Sequence, residues 1–358
     1  MNEHLVCVGF GKCGTTLLNS LFKKSPRFVT PRETKEILYF DKADPSYEEY
    51  RDCFNLPPDL PRGIRRVLFE ASPPYVSGRN RKQIEAVFRR INEVLPRSKI
   101  LICLRHPAYR AYSHYIHNLH AFAVWGNHRH LKPANHPDPL LDAPCEVTFE
   151  QAVSDMPNLQ TRYWDALQLA IEVFGRDRLR LFFLEKDAAG FSAFFSRLCN
   201  DFQLDVTDYW NERTIPRVFS TDNMPAYAYC EGSSNSPLVT SKGLLHLVAG
   251  DLLVMSNRDC FILEKVTPDK AAKFRETANV WTSSVTAAEF RDIFDKHYRE
   301  DVERSVELLE KYQIDTGFLP NYLSYSYKPK NLNTMTVEDA KFRLPYRVQD
   351  PITSVNEQ

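Results

Sequence analysis

The sequence predicts an α/β protein with a doubly wound, mostly parallel sheet that is flanked by helices. Four short segments are apolar throughout rather than alternating, which is typical of parallel strands buried on both faces. Segments with helical periodicity lie between them, and this alternation favours a parallel sheet. A glycine-rich turn directly follows the first apolar segment, so a ligand site is expected at the carboxyl ends of the strands.

The four strands are predicted at Leu5–Gly9, Val67–Glu70, Lys99–Leu104 and Leu179–Leu184. After Asn80, apolar residues recur every three or four positions, which predicts an amphipathic helix that Pro96 ends. Two further helices are predicted. One covers Thr161–Phe174 with Gly175 as its C-cap, and a single helix begins at a capping box, Thr286 with Glu289, and continues to Tyr312.

Residues 1–320 are expected to form one domain. Within it, residues 121–147 are rich in His, Pro and Asn and are interpreted as a long loop. Residues 222–285 are interpreted as an inserted segment or an acceptor-specificity subdomain late in the chain. Residues 321–358 have the composition of a C-terminal tail.

The charge balance excludes a general attraction to nucleic acid, because Lys plus Arg and Asp plus Glu both number 46. No apolar run approaches the ~18 residues of a membrane span, and the first residues do not resemble a signal peptide. The eight cysteines are scattered without a C-x-x-C pair. Together these features predict a protein without a transmembrane segment in a reducing cytoplasm; its oligomeric state is left open.

Seven of the ten histidines lie between residues 106 and 136. Imidazole is a common zinc ligand. No cysteine or carboxylate completes a recognisable ligand spacing around them, so no metal site is assigned.

The turn after the first strand is of the P-loop type. Gly9, Gly14 and Thr16 match the pattern G-x-x-x-x-G-K-[ST], but Thr15 stands in the lysine position and the lysine is displaced to Lys12. Backbone N–H groups and a helix N-terminus are therefore expected to bind an anion. The displaced lysine argues against routine hydrolysis of ATP or GTP.

This loop and three later segments resemble the sulfotransferases that use 3′-phosphoadenosine 5′-phosphosulfate (PAPS), in particular the heparan sulfate and related carbohydrate sulfotransferases. The segments occur in the order found in that family. They are residues 6–16 (VCVGFGKCGTT), residues 35–41 (KEILYFD), residues 70–75 (EASPPY) and residues 99–115 (KILICLRHPAYRAYSHY).

The resemblance implies transfer of a sulfuryl group from PAPS to a hydroxyl or amine of a small molecule, lipid or glycan, with 3′-phosphoadenosine 5′-phosphate (PAP) as product and no required metal. It places Lys12 beside the leaving oxygen and makes Glu36 the general base. It assigns the 3′-phosphate to Arg105 and Ser113. The donor is further expected to contact the loop residues Gly11, Cys13, Gly14, Thr15 and Thr16.

Alternatives stay open for the base and for the 3′-phosphate site. Glu33 lies close to Glu36 in sequence, and a histidine serves as base in the cytosolic sulfotransferases that act on small molecules. Ala71 stands where the heparan-type enzymes have a lysine, which puts a sugar acceptor of that type in doubt. A late basic loop of the family has three candidate matches here, which are Lys242–Gly243, Arg213 and Arg217.

Two other functions are compatible with the same loop. The first is a P-loop kinase, against which the missing lysine at Thr15 counts. The second is a binding module that keeps the nucleotide pocket without catalysis, against which Lys12 and Glu36 count.

Overall fold

The computed structural model describes residues 3–25, 27–56, 66–115, 149–160, 162–188, 190–204 and 287–324, together with the backbone of six short strands between residues 227 and 349. The chain divides into two compact units. The first takes in residues 1–112, 156–217 and 290–326, and the second takes in residues 113–155, 218–289 and 327–358.

The first unit is built on a five-stranded parallel sheet. Its strands are β1 (Glu3–Gly9), β2 (Phe28–Val29), β3 (Val67–Ala71), β4 (Lys99–Leu104) and β5 (Leu179–Phe183). Their order is β2-β3-β1-β4-β5, and all neighbours are parallel. The predicted α/β class with a doubly wound parallel sheet is therefore confirmed.

The helices along the described chain are α1 (Thr15–Phe22), α2 (Tyr47–Asp52), α3 (Arg81–Val94), α4 (residues 107–115), α5 (Phe149–Asp155), α6 (Tyr163–Phe174), α7 (Leu184–Asp187), α8 (Phe191–Asp201), α9 (Ala287–His297), α10 (Arg299–Lys311) and α11 (Asn321–Ser324). Short 3₁₀ turns cover Tyr39–Asp41, Pro73–Tyr75 and Arg176–Arg178.

All four predicted strands are confirmed to within one residue at each end, except that β1 begins two residues earlier. β2 was not predicted because a two-residue strand, Phe28–Val29, leaves no apolar run long enough to recognise. α3 has the predicted buried face and also begins with a capping box, in which Asn80 and Gln83 exchange side-chain hydrogen bonds with each other's backbone.

The prediction of one continuous helix after Thr286 is wrong. The structure has two helices, α9 and α10, separated at Tyr298, whose backbone (φ −132°) leaves the helical region. The buried Tyr298 hydroxyl donates to the carbonyl oxygen of Leu159 at 3.0 Å. This tertiary contact accompanies the break between the two helices and has no signature in the local sequence. Thr286 itself lies outside the described residues.

The strand order places a crevice at the carboxyl ends of β1 and β4. Strands β2 and β3, which follow β1 along the chain, lie on one side of β1 within the sheet. The chain then crosses over, so that β4 pairs with the other side of β1. Helices that follow β1 and β4 therefore leave in opposite directions. Such a switch point is where open α/β sheets bind ligands.

The second unit contains a sheet with the order β10-β6-β7-β8-β9-β11. Its strands are β6 (Tyr227–Cys230), β7 (Leu244–Val248), β8 (Leu252–Ser256), β9 (Phe261–Lys265), β10 (Ala278–Trp281) and β11 (Val348–Gln349). Pairing is antiparallel except between β11 and β9. Five of these strands fall within residues 222–285, and parts of residues 321–358 form α11 and β11. Among the described helices, none has the length and apolar composition needed to cross a bilayer.

Candidate functional site

Two glycines set the shape of the loop between β1 and α1. A Cβ atom on Gly9 would collide with the Val76 side chain. Gly14 has φ of +88°, and a Cβ there would lie 2.7 Å from Leu184 Cδ1. Close packing therefore requires glycine at position 9, and at position 14 close packing adds to a positive φ that is costly for residues with a side chain.

The backbone donors of the loop divide into two groups. The Gly11 N–H donates to Ser77 Oγ at 3.0 Å, and the Cys13 N–H donates to the Phe10 carbonyl at 3.3 Å, so both have acceptors within the protein. Gly14 is the N-cap of α1 and no side chain caps this helix. The first N–H groups of a helix have no acceptor within it, so Thr15 and Thr16 begin α1 at an anion-attracting end.

Lys12 has a left-handed backbone (φ +66°) and a largely buried ammonium group. Burial first, and then the nearby charges of Lys35 and Arg105, lower the pKa of Lys12 to about 7, although the Glu36 carboxylate acts in the opposite direction. The side chain therefore stands among other charged groups at the carboxyl end of β1. An anion bound here would favour its protonated form.

Lys35 and Glu36 form an ion pair next to the loop. The Lys35 Nζ atom lies 2.7 Å from Glu36 Oε1 and donates to Thr15 Oγ1 at 3.2 Å. The hydroxyl of Thr15, which accepts from Lys35, keeps its own proton available for another acceptor. The Glu36 side chain is 37% exposed, so a partner can reach its carboxylate.

Arg105 is bound to the loop from the neighbouring strand end. Its Nη1 atom donates to the Lys12 carbonyl oxygen at 3.2 Å. The Tyr163 hydroxyl donates to the Arg105 carbonyl at 2.7 Å and accepts from its N–H at 3.3 Å. The backbone N–H groups of Tyr163 and Trp164 in turn donate to the Asp301 carboxylate. The guanidinium is therefore positioned beside the loop by contacts on both its backbone and its side chain.

Three residues that follow Arg105 closely in sequence lie further inside the protein. His106 is buried beside the rings of Phe294 and Tyr322, and burial lowers its pKa to about 3, so it is a core residue unsuited to act as a base near neutral pH. The buried Arg110 donates to the carbonyls of residues 158 and 159. Ser113 is buried on α4, and its role at the 3′-phosphate stays a prediction.

Several predicted features lie outside the described residues. These are the late basic candidates at residues 213, 217 and 242–243, the loop at residues 121–147, and the histidines beyond residue 114 up to residue 136. Within the part of the chain that the structure describes, no group of His, Cys, Asp and Glu side chains is arranged to hold a metal ion.

Sequence reasoning did not assign Lys35, Ser77 or Tyr163 to the site. Lys35 had a signal, since it is adjacent to the proposed base Glu36 and basic. Ser77 and Tyr163 had none, because they reach the loop and Arg105 from 66 and 58 residues away in sequence.

Comparisons with known proteins are consistent with the segments described above. A stretch of 118 residues, 31% of this chain, is 35% identical to the human bifunctional heparan sulfate N-deacetylase/N-sulfotransferase 2. The chain spans only 12% of the length of that relative. The resemblance in sequence to sulfotransferases is thereby confirmed over this stretch. No protein-family model matches the chain.

Solved structures with partial likeness are also sulfotransferases. One from Alicyclobacillus acidocaldarius is 20% identical with a TM-score of 0.42, and covers 62% of this chain and 88% of its own. A mouse sulfotransferase in complex with PAP is 16% identical with a TM-score of 0.40, and the match covers 87% of this chain and 88% of the mouse chain. The sulfotransferase domain of the Synechococcus olefin synthase is 14% identical with a TM-score of 0.37, and the match covers 83% of this chain and 94% of that domain. All three TM-scores are low, and it is the strand order of this chain that defines its α/β fold.

Proposed function

We propose that this chain is a sulfotransferase that moves a sulfuryl group from PAPS to a hydroxyl or amine of a small molecule, lipid or glycan and releases PAP. The observation that carries the proposal is the meeting of Lys12, Arg105 and the Lys35–Glu36 pair at the loop between β1 and α1. The motif resemblance and the 118-residue match support the same activity.

The residues at the loop suit a nucleotide with two separate phosphate groups. Three cationic side chains surround a helix N-terminus that no side chain caps. The Arg105 guanidinium offers planar, paired donors that match phosphate oxygens. Thr15 and Thr16 add hydroxyl donors beside the first N–H groups of α1. We assign the 5′-phosphate to these groups and the 3′-phosphate to Arg105 and Ser113.

Each side chain has a distinct role in this mechanism. PAPS, when bound, supplies the sulfuryl group and a phosphate as leaving group. Lys12 stabilises the negative charge that develops on the leaving side, which is the main catalytic requirement of such transfers. Glu36 accepts the proton of the attacking hydroxyl or amine. Lys35 holds the Glu36 carboxylate and the Thr15 hydroxyl in fixed positions.

Calorimetric titration with PAP, ADP and ATP tests the donor site. We expect PAP to bind at micromolar concentration or tighter and ADP, which lacks the 3′-phosphate, to bind at least about tenfold more weakly, since a charge-assisted contact contributes about 1.5–3 kcal/mol. Arg105→Ala is expected to weaken PAP binding by a similar factor and to leave ADP binding nearly unchanged.

Arg97→Ala serves as the matched control, because Arg97 is exposed in the turn before β4 and remote from the loop in sequence. If the Arg105→Ala variant binds PAP and ADP with the affinities of the unsubstituted chain, Arg105 is not the 3′-phosphate ligand. A preference for ATP over PAP would favour the kinase. Binding of PAP without transfer to any acceptor would favour the module that has lost catalysis.

The lowered pKa of Lys12 predicts proton uptake when PAP binds. The Lys12 side chain has a pKa of about 7 in the free protein, so at pH 8 it is mostly the neutral amine. A bound phosphate raises this pKa again. Binding at pH 8 is therefore expected to take up about half a proton, and affinity falls by up to about tenfold in total as the pH rises above neutrality.

Calorimetry in buffers of different ionisation enthalpy measures this proton uptake. The pH range matters, because at pH 8 both phosphates of PAP are already fully ionised and do not contribute. Lys12→Ala should abolish the uptake, whereas uptake that persists in this variant would assign the proton to another group.

Transfer is measured as PAP release from PAPS with a panel of acceptors: a phenol, a primary alcohol, an aryl amine and an oligosaccharide with free glucosamine amines. The panel covers the hydroxyl and amine classes named in the proposal. The fastest of these acceptors is the probe for every rate discussed below.

A further inference from the structure

A fully buried carboxyl group lies behind the turn that carries Glu36. Glu70 is on β3, and both the Ser72 hydroxyl and the Tyr75 hydroxyl donate to the same carboxylate oxygen, Oε2, at 2.9 and 3.4 Å. All three side chains have no exposed surface. Two hydroxyl protons therefore point at one oxygen atom in the interior of the protein.

The same two hydroxyls accept hydrogen bonds from the backbone next to Glu36. The Leu38 N–H donates to Ser72 Oγ at 3.4 Å, and the Phe40 N–H donates to the Tyr75 hydroxyl at 3.2 Å. A hydroxyl has one proton to give. Since Glu70 takes that proton in both cases, the lone pairs of both oxygens are left facing the turn.

The turn needs such support because Leu38 has a left-handed backbone with φ of +49°. This region is unfavourable for a residue with a bulky side chain. The support is itself anchored to the sheet, since the Ser72 N–H donates to the carbonyl of Cys7 on β1 at 3.0 Å. The position of the turn is thus tied to the strand that leads into the loop.

A role in stability alone does not explain Glu70. Its second oxygen, Oε1, makes no hydrogen bond of normal geometry with a described residue, although the buried Tyr50 hydroxyl lies close enough to lower the pKa of the carboxyl group. Burial raises the pKa of Glu70 to about 7, although the hydroxyl groups that donate to the carboxylate act to lower this pKa. A buried carboxyl group without a full set of well-formed hydrogen bonds costs folding free energy, and such costs are often retained where they position a functional group.

We propose that Glu70 is a positioning residue that holds the catalytic carboxylate of Glu36 in place through Ser72 and Tyr75. This inference rests on the proposed function, because it takes Glu36 as the base. By receiving both hydroxyl protons, Glu70 directs two acceptors at the backbone of the turn and so limits where the Glu36 side chain can stand.

The test compares Glu70→Met, which removes the acceptor at similar volume, with Glu70→Gln, which keeps an acceptor oxygen. For Glu70→Met we expect kcat to fall about tenfold to a hundredfold, as for small misplacements of a catalytic group, with PAP affinity within about twofold of the unsubstituted chain. Glu70→Gln should recover most of this loss. Ser72→Ala and Tyr75→Phe should each show part of it.

Amide hydrogen exchange gives a second readout that needs no turnover. In Glu70→Met, exchange at Leu38 and Phe40 is expected to be at least about tenfold faster, because the hydrogen bonds that protect these amides lose their fixed acceptors. The matched control is Asp187→Asn, which alters a buried carboxylate that accepts the Phe183 N–H on β5 and should leave exchange at both amides unchanged.

Unchanged exchange at Leu38 and Phe40 in Glu70→Met would overturn the inference, whatever the activity. So would full kcat in this variant when the unsubstituted chain is active. If Glu70→Met does not fold, kcat of Ser72→Ala and Tyr75→Phe decides the question, and full kcat in both variants would overturn the inference. If the unsubstituted chain transfers no sulfuryl group to any acceptor of the panel, the proposed function fails, and Glu70 is then left without a catalytic role even if exchange responds.

Discussion

Replacing Lys12 with alanine is expected to lower the rate of sulfuryl transfer about a thousandfold, while PAP affinity at pH 6.5 falls by less than about tenfold. The ammonium acts on charge that develops as the bond to the leaving oxygen breaks, so its removal affects the transition state more than the bound nucleotide. The Arg105 contact is to the Lys12 carbonyl and survives the substitution. PAP release from PAPS and calorimetry measure the two quantities.

Two further variants separate the charge from the backbone at this position. Lys12 has positive φ, which asparagine tolerates better than alanine does, so Lys12→Asn controls for strain in the loop and is expected to be as slow as Lys12→Ala. Lys23→Ala, at the exposed C-terminal end of α1, controls for the loss of a lysine in general. Equal losses of rate and affinity in Lys12→Ala would contradict the role in stabilising the leaving group.

Glu36→Gln is expected to reduce transfer by about a hundredfold to ten-thousandfold and to leave PAP affinity within about twofold, because a general base contributes in that range. The amide keeps the size of the side chain but cannot accept the proton of the acceptor. The carboxylate is accessible and its partner Lys35 lies 2.7 Å away, so the substitution removes one negative charge without opening the core.

Glu33→Gln is the matched control for Glu36→Gln. Glu33 is exposed three residues earlier on the same segment, and its variant should transfer at the rate of the unsubstituted chain. If Glu36→Gln is active and Glu33→Gln is not, the base has been assigned to the wrong carboxylate. If both are fully active, the base is a histidine, and the described His106 is excluded by its burial, so substitutions at the histidines between residues 114 and 136 would follow.

The strands of the first unit were predictable because their residues are apolar without interruption. β4 (Lys99–Leu104) was predicted with its observed bounds, and β5 differs from its prediction by one residue. Burial on both faces imposes this composition locally, so it is visible without knowledge of the partner strands. β2 was missed because two residues carry too little pattern, and the break at Tyr298 was missed because it accompanies a contact with Leu159 far away in sequence.

The candidate site was predictable in part because some of its residues form a local sequence pattern. Gly9, Lys12 and Gly14 stand at fixed spacing from the end of β1 onward, and that local pattern predicts a phosphate-binding loop. Other parts of the site depend on hydrogen bonds between residues that are distant in sequence. Lys35 donates to Thr15, Tyr163 donates to the Arg105 carbonyl, and Leu38 in the turn after Glu36 donates to Ser72. No local pattern specifies them.

By itself, the sequence determined the fold class and the glycine-rich loop, because strand burial, glycine geometry and motif spacing are local properties. Its resemblance to the sulfotransferases nominated Lys12, Glu36 and Arg105. Only the tertiary structure decided how these residues are held: Arg105 on the Lys12 carbonyl, Lys35 between Thr15 and Glu36, and Glu70 behind the turn. Hydrogen bonds and burial depend on which distant segments the sheet order brings together, and that order is a property of the whole folded chain.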